Sequence, residues 1–435
     1  MSIMFVFVLN GNREPLNPVH PAVARMLLRN KQAAVFKRFP FTLILKEVVV
    51  EQETAAEPLR LKLDPGSKTT GIAIVNDATG QVVFAAELTH RGQQVRDALL
   101  TRCQMRRNRR SRKTRYRPAR FLNRTRPKGW LPPSLESRLA NVLTWVYRFK
   151  RLCPIGAISQ ELVKFDMQLM ENASAGREIS GIEYQQGTLA GYEVRQYLLE
   201  KWGRKCAYCG NSVVQLQIEH ISPRARGGSN RVTNLTLACE PCNTRKGTKT
   251  ALEFGFPLIQ AQARKPLKDA AAVNATRKEL LRRLEATGLP VETGTGGMTK
   301  YNRTRRGLAK THWLDAACVG ASTPENLQVL VTSVLEIKAK GQGQHCRTLL
   351  DKYGFPRLRL TQQKKHFGFQ TGDIARAVVT TGKKRGVYNG RVAVNTVGRF
   401  NISTLSGVVS GLSHRFFKLI QHSDGYGYQL SKECK

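Results

Sequence analysis

The residues best suited to chemistry lie between Cys206 and Lys249, where the chain reads CAYCGNSVVQLQIEHISPRARGGSNRVTNLTLACEPCNTRKGTK. Cys206/Cys209 and Cys239/Cys242 are two Cys-x-x-Cys pairs, each offering two thiolates from one tight turn. Two such turns close a tetrahedral zinc site. The 29 residues between the pairs exceed the gap of a simple zinc ribbon, so the halves hold something between them. Glu219 and Asn243 are hard oxygen donors suited to magnesium. His220 can take a proton from a water attacking phosphorus. VVQLQIEH alternates as a strand, SPRARGGSN is loop chemistry, and the second Cys pair opens a short segment with Asn243, Arg245 and Lys246.

In this order (Glu219-His220, then Asn234, then Asn243) the stretch resembles the HNH nucleases, with Asn243 where many members have a final His. The resemblance implies a ββα-metal fold with His220 as general base, Glu219 and Asn243 on magnesium, and Asn234 orienting the loop. The plainer reading is a zinc knuckle that only holds RNA. The Glu-His pair and both Asn in order favour the nuclease.

Composition narrows the partner. The 435 residues allow two to four domains, and 71 Lys and Arg against 31 acidic residues give a net charge of +40. Such a charge repels the compact state unless a polyanion shares the surface, and nucleic acid is the obvious one. No apolar run approaches the length of a membrane helix. The opening MSIMFVFVL lacks a basic n-region and a cleavage site, and reads as a first strand. Beyond the zinc set, Cys103, Cys153, Cys318, Cys346 and Cys434 are scattered, which suits a reducing cytoplasm.

The elements that must position this chemistry follow from patterning. Residues 3–9 read as a strand, NGNREPLNPVHP as a proline-stiffened turn, Ala22 to Leu28 as a helix, and AAVFKRFPFTLILKE as strand material. Residues 59–88 give LRLKLD, TTGIAIVND and QVVFAAEL, an antiparallel meander. Asp64 ends its first strand before Pro65-Gly66, a turn expected to expose the carboxylate at the sheet's edge. From His90 to Arg126 the chain is overwhelmingly basic and helical up to Ser111. Arg102, Arg106, Arg107, Arg109, Arg110, Arg112, Arg115 and Arg117 would lie along phosphates, with Tyr116 stacking on bases. Ser134 is a plausible N-cap for an amphipathic helix burying Leu135, Leu139, Val142, Leu143 and Val146. IGAISQELVKFD is a strand with Glu161 near its exposed end, residues 166–191 read as irregular, and Tyr192 to Trp202 as a helix. A helix around 277–286 and a Gly-rich loop near 293–297 lead to His312 and Asp315, which a helix start places on one face. Residues 354–430, with turns at Gly382, Asn389-Gly390 and Gly398, read as a small β-barrel.

Asp64 on the first strand of a meander, Glu161 on a later strand and Asp315 opening a helix form the layout of an RNase H-type sheet. Carboxylates converging there can hold two magnesium ions about 4 Å apart for in-line phosphodiester cleavage. The arginine helix falls between the first two of these elements, and the zinc module between the last two. That order resembles the split RuvC domain of RNA-guided nucleases, and the chain resembles the IscB family, transposon-encoded relatives of the CRISPR effector nucleases. Pro15-Leu16-Asn17-Pro18 resembles the signature of the family's Pro-Leu-Met-Pro module, with Asn for Met.

The resemblance implies an α/β RuvC core holding Asp64, Glu161, His312 and Asp315. It further implies magnesium at both nuclease sites, structural zinc, and a structured noncoding guide (the ωRNA) held by a monomeric protein in a prokaryotic cytoplasm. HNH would cut the guide-paired strand of double-stranded DNA and RuvC the displaced one, beside a short motif met by the C-terminal β domain. The expected boundaries are 1–55 for the N-terminal module, 56–89, 127–185 and 256–340 for the three RuvC pieces, 90–126 for the bridge helix, 186–255 for HNH and 341–435 for the β domain. Two other readings are a protein-guided homing or restriction-type HNH nuclease and a non-catalytic RNA-binding factor with structural zinc.

Overall fold

The computed structural model describes residues 4–46, 58–111, 130–163, 192–230, 232–264, 270–340, 348–352, 355–359, 363–404 and 406–432. The chain divides into two units, one of Met1–Ala56, Arg148–Pro154 and Thr332–Lys435, the other of Glu57–Tyr147 and Ile155–Val331.

The first unit opens with β1 (Val6–Leu9), β2 (Pro15–Val19), α1 (Pro21–Arg29), β3 (Ala33–Lys37) and β4 (Thr42–Leu45), in the sheet order β2-β1-β4-β3. The segment expected as a stiff turn, Pro15–Val19, is therefore an edge strand antiparallel to β1. Proline donates no hydrogen bond, but an edge position can leave that side unpaired.

The second unit is built on the expected meander, β5 (Leu59–Pro65), β6 (Thr69–Asn76) and β7 (Val82–Thr89). Helix α2 (Gly92–Ser111) follows, then α3 (Pro133–Leu152), whose residues from Arg148 on are assigned to the first unit. Helix α3 begins one residue before Ser134, with Pro133 in its first turn, so Ser134 is not its cap. Its buried stripe includes Leu139, Val142 and Val146 as expected, plus Trp145 and Phe149. Strand β8 (Ile155–Val163) comes next, and residues 166–191 lie outside the described residues.

The zinc module is α4 (Tyr192–Lys201), β9 (Leu216–His220), β10 (Leu235–Cys239), α5 (Glu240–Lys246) and α6 (Leu258–Arg264). β9 and β10 pair antiparallel, Glu219 opposite Thr236 and His220 opposite Leu235. Its small core gathers Tyr197, Leu198, Leu216, Ile221, Val232, Leu237 and Ile259.

After α7 (Ala270–Glu285) come β11 (Val291–Thr295), α8 (Gly296–Arg305) and α9 (His312–Ala317). The expected Gly-rich loop is thus a strand running straight into a helix. Gly294 is accepted in β11 because another backbone passes close by: a Cβ there would lie 2.8 Å from the Gly320 nitrogen. Within this unit the strand order is β11-β8-β5-β6-β7, with β8 parallel to both its neighbours. β5 is therefore central rather than an edge, and Asp64 and Glu161 are both buried, contrary to the exposed placement expected for each.

In the first unit again, β12 (Ser333–Ala339) pairs with the last strand. β13 (Thr348–Leu350), β14 (Pro356–Arg359), β15 (Lys365–His366) and β16 (Phe369–Gln370) form two short hairpins. β17 (Ile374–Val379), β18 (Gly386–Ala393), β19 (Arg399–Thr404), β20 (Gly407–Ser413) and β21 (Phe417–Gln421) precede β22 (Tyr426–Lys432). The five from β17 to β21 form a sheet in the open order β20-β19-β18-β17-β21, where a closed barrel was expected. Its alternating inward residues Ala375, Ala377, Val392, Phe400 and Ile402 make a one-sided core. Among the described residues no helix is long and apolar enough to cross a membrane.

One glycine decides how α9 meets the sheet. A Cβ on Gly71 would lie 1.8 Å from the His312 carbonyl oxygen, a backbone atom that cannot swing aside. Gly71→Ala should therefore destabilise the unit by roughly 1–3 kcal/mol through overpacking. At Gly156 the nearest atom to an added Cβ is 4.0 Å away, so Gly156→Ala should be close to neutral. Thermal unfolding of the two variants checks the difference; equal melting points would remove the close approach from the account.

Candidate active sites and metal centre

Strand parity puts Arg60, Lys62 and Asp64 of β5 on one face, and the register sets Lys62 opposite Ser159 and Asp64 opposite Gly71. Gly71 is in turn opposite Glu87 of β7, and Gly294 is opposite Glu161. A missing side chain beside Asp64 and another beside Glu161 leave room for other backbone to approach. Helix α9 uses the first gap. Glu87 Oε1 accepts the His312 backbone N–H at 3.1 Å, and the Thr311 hydroxyl accepts that of Leu314 at 3.3 Å, so the helix start is capped twice. Beyond the helix, buried Lys62 donates to the Val319 carbonyl at 2.9 Å and to the Thr323 hydroxyl at 3.2 Å. Burial pushes its ammonium down to about 8.

Two buried arginines neutralise the carboxylates thus assembled. Arg277 of α7 places Nη2 2.7 Å from Glu161 Oε1 and 3.4 Å from Asp64 Oδ1, while its Nε donates to the Pro65 carbonyl at 3.0 Å. Arg303 of α8 sets Nε 2.7 Å from Asp315 Oδ1, out of line for a hydrogen bond. Burial pushes the Asp315 carboxyl above its usual range; Glu161 adds to the rise, and Arg303, Lys310 and His312 oppose it. Asp64 and Glu161 thus share one guanidinium, with Asp315 close enough to sense Glu161. Carboxylates are hard oxygen donors of the kind that suits magnesium. Among the described residues, however, only the four cysteine sulfurs of the zinc module are drawn together tightly enough to form a group of three or more donors around one ion.

In the zinc module the four Sγ atoms of Cys206, Cys209, Cys239 and Cys242 lie within 4.8 Å of one another, with Cys209 and Cys239 3.7 Å apart. Four sulfurs about 2.3 Å from a central zinc are about 3.8 Å apart, so the cluster fits a structural metal. Burial pushes the Cys242 thiol up to about 12 and raises Cys239. At Cys206 burial is outweighed by the backbone N–H groups of Cys209, Cys239 and Tyr208, which hold it at about 7. Metal binding must therefore release protons.

Glu219 is the buried hub of the ββα core. Its Oε2 accepts the Tyr208 hydroxyl at 2.7 Å, and its Oε1 the Lys246 ammonium at 2.5 Å. Lys246, itself fully buried, also donates to the His220 carbonyl at 2.8 Å. Tyr208 is gripped edge-on by Phe254 and Phe256, and its hydroxyl is pushed far above its ordinary pKa by burial and by Glu219. Asn234 accepts from the Ser222 N–H at 2.9 Å and donates to the Ser222 and Ser229 carbonyls, tying both ends of the loop after His220. His220 is half-buried, with Nε2 2.8 Å from Asn230 Oδ1. Asn243 donates to Gln217 at 2.8 Å. The described contacts thus set Asn243 beside Gln217 and His220 beside Asn230, without joining the two.

Along α2, Arg102, Arg106, Arg107 and Arg110 are exposed, as are Leu100 at 57% and Met105 at 40%. The side chain of Arg109, and Arg112, Arg115, Tyr116 and Arg117, lie outside the described residues. Sequence reading missed Arg277, Arg303, Lys62 and Glu87, for which nothing local gives a signal. Lys246, three residues after Asn243 on a short helix, could have been found from that spacing.

Two family models match the chain: RRXRR protein over residues 6–187 and HNH endonuclease over residues 206–259. Arg106-Arg107-Asn108-Arg109-Arg110 spells the pattern in the first name. The first match covers under half of the chain, and the second follows it across the cysteine cluster. The HNH endonuclease match covers the four-cysteine cluster, which could hold a structural metal. Among solved structures, the Type II-C Cas9 enzyme from Actinomyces naeslundii is 15% identical, with 61% of this chain and 59% of that one covered at a TM-score of 0.23. Streptococcus thermophilus Cas9 in complex with the GGAA PAM is 14% identical, with 60% and 32% covered at a TM-score of 0.23. Overlays this loose carry no argument, and the chain spans 59% and 32% of the lengths of these two proteins. No curated protein matches the chain.

Because the thiolates tie β10 and α5 to the turn before β9, Cys206→Ser or Cys239→Ser should unfold the zinc module and remove its metal. Zinc analysis together with limited proteolysis checks this. A zinc-free protein whose residues 192–264 stay protected would overturn it.

Proposed function

We propose that the chain is an RNA-guided endonuclease that cuts both strands of double-stranded DNA beside a short adjacent motif. The observation that carries this reading is that one unit holds two separate groups fit for phosphodiester hydrolysis. One is the carboxylate set of Asp64, Glu161 and Asp315 with His312; the other is His220 in the HNH segment. The net charge of +40 and the exposed arginines of α2 support a structured guide RNA as resident partner, with base pairing supplying sequence choice. The domain limits given from the sequence belong to this proposal, as does contact of the C-terminal sheet with the adjacent motif.

Asp64, Glu161 and Asp315 would hold magnesium in one site; Asn243 and the remaining lone pairs of Glu219 would hold it in the other. Magnesium when bound supplies Lewis acidity and a more acidic water. The chain's residues supply the rest. With Nε2–H donated to Asn230 Oδ1, His220 keeps Nδ1 as the acceptor that takes the proton from the attacking water. Asn234 fixes the loop behind it, and Lys246 holds the His220 carbonyl in place. At the carboxylate site the doubly capped start of α9 orients His312 and Asp315 together.

Two centres acting on two strands predict distinct nicks. His220→Ala should leave the guide-paired strand intact, and Asp64→Ala the displaced strand, each lowering that cut by about 10²-fold or more. The double variant should bind the target and cut neither strand. Strand-specific end labelling decides it, and loss of both cuts in either single variant would mean one shared centre.

Guide binding is tested separately. Replacing Arg102, Arg106, Arg107 and Arg110 with Ala should weaken RNA binding and lower the slope of log K against log salt by about 3, as fewer counterions are released. An unchanged slope removes α2 as the phosphate grip. Sequencing the RNA that copurifies tests guidance itself: one defined noncoding species supports it, and none favours a protein-guided nuclease.

A further inference from the structure

We propose that Arg277 is the resident counter-ion of the carboxylate site, standing between Asp64 and Glu161 where a divalent cation would bind, and that it sets the affinity of the site for metal. This rests on the reading of Asp64 and Glu161 as metal ligands. Nη2 alone reaches both carboxylates, at 2.7 Å and 3.4 Å, while Nη1 is buried without a hydrogen-bond partner. An arginine built as a structural bridge spends its fork on one carboxylate with two parallel bonds. Here one nitrogen spans two acids and the other bonds nothing, which is how a space-filling cation sits. Its place is well defined: Nε donates to the Pro65 carbonyl at 3.0 Å, and the Arg277 carbonyl accepts from Gln160 Nε2 at 2.8 Å. Pro65 follows Asp64 and Gln160 precedes Glu161, so the arginine is anchored to the same two strands it neutralises.

Arg303 differs. It serves Asp315 alone, and its Nη1 is bonded to the Leu308 carbonyl at 3.3 Å.

A magnesium ion lies about 2.1 Å from each ligand oxygen. An ion shared by Glu161 Oε1 and Asp64 Oδ1 would lie no more than about 4.8 Å from Nη2, since Nη2 is 2.7 Å from Oε1. Two cations that close in a buried site repel. The guanidinium cannot escape by losing its charge. Metal entry therefore has to move it, and the energy of the two ion pairs is subtracted from metal binding. Removing the arginine should tighten metal binding, whereas mere damage to the fold would loosen it.

The test is Mn²⁺ binding to the full-length, zinc-loaded protein, followed by electron paramagnetic resonance, for the wild type, Arg277→Gln, Arg277→Lys and Asp64→Ala. Asp64→Ala defines the component that belongs to this site. Arg277→Gln should bind that component about tenfold more tightly or better. Without metal it should melt lower than wild type, and Mn²⁺ should raise its melting point by more. Zinc content and circular dichroism certify that the variant is folded. If Arg277→Gln does not fold, Arg277→Lys carries the test with a smaller shift of the same sign. Unchanged or weaker Asp64-dependent binding in the folded variant overturns the proposal. Absence of any Asp64-dependent Mn²⁺ binding in the wild type at millimolar concentration overturns instead the metal-ligand reading on which it rests.

Discussion

Asp64 and Glu161 are buried against one guanidinium, and half-buried Asp315 is near enough to feel Glu161. Carboxylates so placed repel each other, and apolar packing cannot hold them without positive charge among them. Arg277 and Arg303 supply that charge, the first between Asp64 and Glu161 and the second against Asp315. The same constraint shapes the backbone. Gly71 and Gly294 face the first two carboxylates across the sheet, and their missing side chains let the start of α9 and the loop at Gly320 come close. Around the acids sits a frame of further polar groups, Glu87 at the beginning of α9 and Lys62 beyond its end. Short helices are weak by themselves, so a six-residue helix holds its direction through what grips its two ends.

The zinc module meets the opposite difficulty. It buries few large side chains, and a small core alone rarely holds a catalytic geometry. Four thiolates that fit a metal, and one carboxylate paired with Tyr208 and Lys246, take the place of bulk. Glu219 joins Tyr208 from the first Cys turn to Lys246 from the helix after the second, so the ion pair and the thiolate cluster cross-link the same two halves. His220 next to it is left half-buried, with its ring held by one exposed asparagine. A buried, paired side chain and a half-buried one thus sit on adjacent residues of one strand, separated by the alternation of the pleat.

Charge is distributed by role. Arg102, Arg106, Arg107 and Arg110 of α2 are exposed, as suits contact with a phosphate backbone that is read by charge rather than by base. Arg277 and Arg303 are spent inside, on acids. In a chain with 71 basic residues, burial is what separates these two uses.

The sequence by itself determined the thiolate cluster, the β-hairpin and helix around it, the meander carrying Asp64, the strand carrying Glu161 and the helix opening at His312. Each rests on local spacing: Cys-x-x-Cys turns, alternation of period two, or a capped helix start. Patterning erred where context overrode propensity. Prolines at 15 and 18 are tolerated at a sheet edge, glycines near 294 belong to a strand because backbone passes beside them, and the C-terminal strands do not close. Only the tertiary structure decided that β5 is central, that Asp64 and Glu161 are buried, and that Arg277, Arg303, Lys62 and Glu87 complete the site. Lys62, Glu87 and Arg277 make contacts across long stretches of chain, Arg303 reaches the following helix, and a charged side chain carries no local mark of whether it will meet solvent or another charge. That is settled by which strands become neighbours.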